Sequence, residues 1–132
     1  NEVGKSLISS KVFIVGFAFK GQPETSDLRE STTLWFLDKL KEEGVNNIYG
    51  FDPIIKKDEI QSLGVNHCSL EEGFKNADAV FFMNNHRSYK KLNISKLINL
   101  MREPALFCDS WQMFEVSYIK SHSNIIYTGV GI

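Results

Sequence analysis

Lys11-Val-Phe-Ile-Val-Gly-Phe17 is a short apolar run that stops at a glycine, and its reading decides the fold. Apolar side chains at successive positions, rather than at every second one, suit a strand covered on both faces inside a parallel sheet. A polar segment, 20–30, follows it. Residues 31–43 then read as a helix, with Leu34, Leu37 and Leu40 on one face and Gly44 placed to stop it. The alternation repeats outward from there. Patterning predicts strands over 47–51, 67–68, 78–83, 105–108 and 124–128, and helices over 59–63, 70–76, 92–101 and 114–121.

Strands alternating with helical segments imply βαβ units and a parallel sheet. Right-handed crossovers turn these into a Rossmann-like, doubly wound α/β domain, with a mainly parallel sheet of about five to six strands and helices on both faces. Residues 1–10 are polar and small and read as a lead-in, leaving 11–132 as the domain. Ligands of such sheets bind beyond the carboxyl ends of the strands, where strand order reverses. The polar residues just after the strands therefore matter most: 19–29, Asp52, 84–86 and 109–111.

The bulk composition fits one self-sufficient core. A chain of 132 residues with ten Phe and two Trp carries enough apolar volume for a domain of ordinary density. Fifteen basic and sixteen acidic residues nearly cancel, which argues against nucleic-acid binding, since that needs a basic excess on one face. A local cationic pocket for one small anion is compatible with the balance. No apolar run approaches the roughly 20 residues that span a bilayer, so no membrane partner is expected. Cys68 and Cys108 lack CxxC spacing and read as buried free thiols of a reducing compartment, the cytoplasm. His67, His86 and His122 are scattered without metal-ligand spacing, so no metal site is expected. Asn1 at the start and Gly131-Ile132 at the end suggest a fragment of a longer protein.

Gly16 and Gly21 have the glycine spacing of a P-loop, but Gln22-Pro23 stands where its lysine and hydroxyl residue belong. Gly16-Phe17-Ala18-Phe19 also lacks the second glycine that lets a pyrophosphate approach the backbone. Lys20 and Arg29 say more. A lysine point charge and an arginine fork, near a helix start with free N–H groups, suit phosphate oxygens. Equally, Asp27, Arg29 and Glu30 can simply cap and solvate that helix start. The residues alone leave both readings open.

Val15-Gly-Phe-Ala-Phe-Lys-Gly21, followed by Ser26-Asp-Leu-Arg-Glu-Ser31, resembles the signature that opens the C-terminal, UDP-sugar-binding domain of the UDP-glucose/GDP-mannose dehydrogenase family. Phe51-Asp52-Pro53 resembles the family's aromatic-Asp-Pro after the second strand. Ala77-Asp-Ala-Val-Phe-Phe82, with Asn84 and His86, resembles the strand that comes next. Together these matches run from about Lys11 to the end of the chain.

The resemblance implies the third domain of an NAD-dependent nucleotide-sugar 6-dehydrogenase. Such a parent carries an N-terminal NAD-binding domain and a central helical domain with the catalytic cysteine, and assembles as a homo-oligomer. It implies that Phe19 and Lys20 contact the UDP-sugar and that Arg29 approaches NAD held by the first domain. It also implies no catalytic residue in this chain and an isolated domain without turnover. Gln22-Pro23-Glu24-Thr25 lengthens the loop before Arg29 relative to many relatives. Asp109-Ser110-Trp111 stands where many members carry Asp-x-Arg. Trp111 either stacks on a base or sugar face or packs at the rim. His86, at a strand end, is a further candidate for ligand contact. Asp52 imitates the ribose-binding acid of a dinucleotide fold, but Pro53 favours a turn role for it. Lys90, Lys91 and Lys96 read as a solvated helix face. A stand-alone nucleotide-binding or regulatory module without chemistry is the alternative reading, and a small Rossmann-like reductase or methyltransferase is a more distant one.

Overall fold

The computed structural model describes residues 9–17, 32–83, 87–102, 105–109 and 125–129. Its six strands are β1 (Val12–Val15), β2 (Ile48–Phe51), β3 (Asn66–His67), β4 (Ala79–Phe82), β5 (Ala105–Asp109) and β6 (Ile125–Gly129). They form one sheet in the order β3-β2-β1-β4-β5-β6, and every neighbouring pair is parallel. The chain builds outward from β1 to β3 and then returns to β4 on the other side of β1. Strand order therefore reverses between β1 and β4. The first apolar run is the central strand that its composition requires.

Among the described residues four α-helices cover the sheet: α1 (Thr32–Glu42), α2 (Lys57–Ser62), α3 (Leu70–Phe74) and α4 (Ile94–Ile98). Successive side chains on a strand point to opposite faces, and β1 divides accordingly. Val12 and Ile14 pack with Leu37 and Leu40 of α1 and Ile60 of α2. Phe13 and Val15 pack with Phe74 of α3 and with Leu97 and Ile98 of α4. Helices that follow the outward strands thus lie on one face, and those after the reversal on the other, as right-handed crossovers demand. Phe36 of α1 meets Phe81 of β4 at 4.7 Å between ring centroids, which ties α1 across the switch point.

Glycine permits one close approach on the second face. A Cβ on Gly73 would lie 2.2 Å from the Phe13 ring, so α3 sits on β1 only because residue 73 has no side chain. Ser69 starts α3 with a capping box, its hydroxyl accepting from Glu72 N while the Glu72 carboxylate accepts from Ser69 N.

Two sequence-based expectations shift. The helix expected over 92–101 is the shorter α4, and a 3-10 turn, Arg87–Lys91, precedes it. Asn93 explains the later start: its side-chain oxygen accepts from Lys96 N and starts the helix there. Both cysteines are free, but Cys108 is only half-buried, where the sequence suggested full burial. Along β5, Phe107 points into the α3–α4 core, so Cys108 points to the opposite face. The helix expected over 114–121 lies outside the described residues.

Candidate functional site

The carboxyl edge of the sheet is built around the end of β1. Val15 pairs with Phe82 of β4, and Phe82 pairs with Asp109 of β5, so three strand ends lie side by side. Segments 18–31, 84–86 and 110–124 depart from these neighbouring ends. Phe19, Lys20, Arg29, His86 and Trp111 all fall in those segments and lie outside the described residues.

The end of β1 is held by a set of backbone and side-chain hydrogen bonds. Gly16 has φ 101°, in the left-handed region where glycine alone is at ease. Its N–H donates to Phe51 O at 2.8 Å, and its carbonyl accepts from the Thr33 hydroxyl at 2.8 Å. Phe17 N then donates to Asp52 Oδ2 at 2.7 Å. The second oxygen of Asp52 accepts from Ile54 N at 2.7 Å and Ile55 N at 2.9 Å, closing the turn after β2. The turn role suggested by Pro53 is thus present, together with a bond to β1 that the sequence did not announce.

The edge also holds buried polar groups. Asp52 is 5% exposed and Asp109 0%. The Tyr89 hydroxyl is pushed far above the usual phenol range, first by burial and then by the Asp52 charge, so it stays neutral. Helix α1 opens at this edge without an acidic residue in its first turn, which leaves its partial positive charge uncompensated there by its own side chains.

These residues do not fit a dinucleotide in the manner of a dinucleotide-binding domain. Ala18, outside the described residues, stands where the fingerprint has its second glycine, and the ring of Phe17 beside it is fully buried. That ring fills the space above Gly50, where an added Cβ would lie 2.6 Å from Phe17 Cζ. Asp52, at the position of the ribose-binding acid, is buried and holds backbone N–H groups instead.

A groove of about 530 Å³ lies at the opposite, amino edge, lined in part by Lys11, Asn47, His67, Asp78 and Arg102. Its charges serve the fold. The Lys11 ammonium donates to Glu72 O at 2.8 Å and Lys75 O at 2.6 Å, at the carbonyl end of α3. It also sits 4.6 Å from the centroid of the Tyr49 ring. Burial lowers the Lys11 pKa and, nearby, pushes the Cys68 thiol up to about 11, so Cys68 is not a thiolate nucleophile at neutral pH. Among the described residues no cluster of His, Cys, Asp or Glu has the makings of a metal site, and no helix is long and apolar enough to cross a membrane.

Residues 13–116 match the UDP-glucose/GDP-mannose dehydrogenase family, UDP binding domain. No curated protein matches the chain in a sequence search. Among solved structures, the NDP-N-acetyl-D-galactosaminuronic acid dehydrogenase of Methanosarcina mazei Go1 superposes with a TM-score of 0.78 at 22% identity, covering 98% of this chain and 26% of that one. The UDP-D-ManNAc dehydrogenase of Pyrococcus horikoshii gives 0.74 at 23% identity, covering 95% and 26%. The UDP-glucose dehydrogenase of Pyrobaculum islandicum gives 0.66 at 23% identity, covering 93% and 26%. The chain spans about a quarter of the length of each, and at this identity the likeness is one of fold.

Proposed function

The chain belongs to the UDP-glucose/GDP-mannose dehydrogenase family, as its UDP binding domain, and on that premise we propose that it holds the nucleotide-sugar in an NAD-dependent UDP-sugar 6-dehydrogenase. The parent oxidises the sugar's primary alcohol to a carboxylate, giving a uronate of the kind used in polysaccharide biosynthesis. The family match over 13–116 carries this reading, because it spans the switch point and every candidate segment up to Trp111.

In this reading Phe19 and Lys20 contact the UDP-sugar, with Lys20 placed against phosphate charge. Trp111 and His86 are further candidates for contact with the same ligand. Arg29 reaches toward NAD held by the N-terminal domain, which agrees with the poor fit of the β1–β2 corner to a dinucleotide. No residue of this chain does covalent chemistry, and the nucleophilic cysteine belongs to a central helical domain of the parent. The parent works as a cytoplasmic homo-oligomer.

Steady-state kinetics on the full protein that carries this chain test the proposal. Lys20→Ala is expected to raise KM for the UDP-sugar roughly ten- to hundredfold, the loss of a charge-assisted hydrogen bond, with little change in KM for NAD. The 132-residue chain alone should not reduce NAD when given a UDP-sugar. An unchanged UDP-sugar KM, or turnover by the lone chain, would overturn the reading.

A further inference from the structure

We infer that Thr33 and Asp52 are positioning residues for nucleotide binding, which fix the two feet of segment 18–31 to a common point at the end of β1. This rests on the reading that the segment carries the UDP contacts. The geometry concerns only what flanks it. Gly16 and Phe17 lead out of β1, and Thr33 lies in the first turn of α1, to which the chain returns. The Thr33 hydroxyl bonds the Gly16 carbonyl at 2.8 Å, so the returning foot is tied directly to the departing one. Asp52 ties the departing foot to the end of β2 through Phe17 N, and its own carboxylate is held by Ile54 N and Ile55 N.

These bonds lie in a dry, packed corner. Thr33 is 1% exposed, Asp52 5% and Phe17 0%. Hydrogen bonds in such surroundings hold geometry against competition from water. Two fixed feet limit where contacts carried between them can fall, which favours binding without any added contact. Neither side chain has to touch the ligand for this effect. Thr33 lies just past the Asp-x-Arg-x-Ser stretch, where its hydroxyl can be mistaken for one more helix-start group.

The chemistry of the two residues supplies separable variants. Thr33→Val keeps the shape and removes the donor to Gly16 O, whereas Thr33→Ser keeps the donor. Asp52→Asn puts an amide N–H either against Phe17 N–H or against Ile54 and Ile55 N–H, so at least one bond is lost in either flip. Asp78→Asn, at the amino edge, disturbs the equivalent bond from Lys11 N to Asp78 Oδ2 at 2.8 Å and serves as a control for general loosening.

UDP titration of the full protein by calorimetry, alongside urea unfolding, provides the test. Thr33→Val is expected to weaken UDP binding roughly three- to tenfold, the equivalent of one net hydrogen bond. Thr33→Ser should restore it, and Asp78→Asn should leave it intact even where unfolding midpoints fall equally. If Lys20→Ala weakens UDP binding but Thr33→Val does not, or if Asp78→Asn weakens it as much, the positioning role is wrong while the functional reading stands. If Lys20→Ala changes nothing, the functional reading fails and this inference fails with it. Should Asp52→Asn not fold, the Thr33 pair decides alone.

Discussion

The two ends of β1 use the same device for opposite purposes. At the amino end a buried aspartate, Asp78, accepts from Lys11 N, and the Asp78 N–H donates back to Lys11 O at 2.9 Å. At the carboxyl end a buried aspartate, Asp52, accepts from Phe17 N. The difference is in the side chains that follow. The Lys11 ammonium folds onto the carbonyl end of α3 and over Tyr49, so the amino edge is closed by a cation that belongs to the fold. The carboxyl clamp grips the backbone N–H groups of Phe17, Ile54 and Ile55, and the chain leaves it as the segment that carries Phe19, Lys20 and Arg29. A buried carboxylate on a strand end is therefore not a site by itself. What departs from it decides.

The largest effect expected from breaking that comparison is on stability. Asp52→Ala removes the acceptor of three backbone N–H groups in a dry corner and should cost about 3 kcal/mol or more, at about 1–3 kcal/mol for a buried donor left unmatched. Asp78→Ala removes the acceptor of Lys11 N at the other end and should be destabilising as well. Urea midpoints with unchanged m-values would measure both, and an unchanged midpoint in either variant would show that its carboxylate does not hold that strand end.

Steric variants sharpen the comparison at a somewhat smaller scale. Gly73→Ala drives a methyl into the Phe13 ring and Gly50→Ala drives one into the Phe17 ring, each an overpacking change of about 1–3 kcal/mol. Only Gly50→Ala should also weaken UDP binding, because Phe17 is the residue held by Asp52. Equal UDP affinity in the two variants would separate the Phe17 corner from the binding segment.

The smallest effect at neutral pH concerns Cys68, beside the Lys11 clamp. Burial raises its thiol from an ordinary value of 9.0 to about 11 in the folded state. The sign follows from proton counting. Above pH 9 the unfolded chain gives up this proton while the folded chain keeps it, so stability from this group is complete below pH 9 and lost as pH climbs to about 11. Cys68→Ala should therefore show a constant packing difference from wild type below pH 9, and that difference should move in the variant's favour above it. A flat difference across the range would mean that the thiol is not shielded.

Much of the fold was legible in the sequence, and the reasons differ by element. The apolar run at β1 and the Val-Phe-Phe of β4 are covered on both faces, so their patterning marks central strands. Ile94–Ile98 was harder to delimit, because Asn93 starts the helix inside a stretch whose apolar spacing runs on. The candidate binding residues were legible only through family resemblance, since Lys20 and Arg29 by themselves read equally well as helix-start solvation. Asp52 was half legible: Asp-Pro announced a turn, but nothing local announced Phe17 as its partner, 35 positions away. Thr33 gave no signal, because a threonine early in a helix is ordinary.

By itself the sequence determined the elements, the parallel arrangement, the absence of a dinucleotide fingerprint and the family, all of which depend on residue type and local spacing. Tertiary structure alone decided that Asp52 and Thr33 meet the end of β1, that the Phe17 ring fills the space above Gly50, and that the charged groove at the amino edge is part of the scaffold. These depend on which strands become neighbours, and the pairing of β1 with both β2 and β4 brings together residues whose separation along the chain conceals their contact.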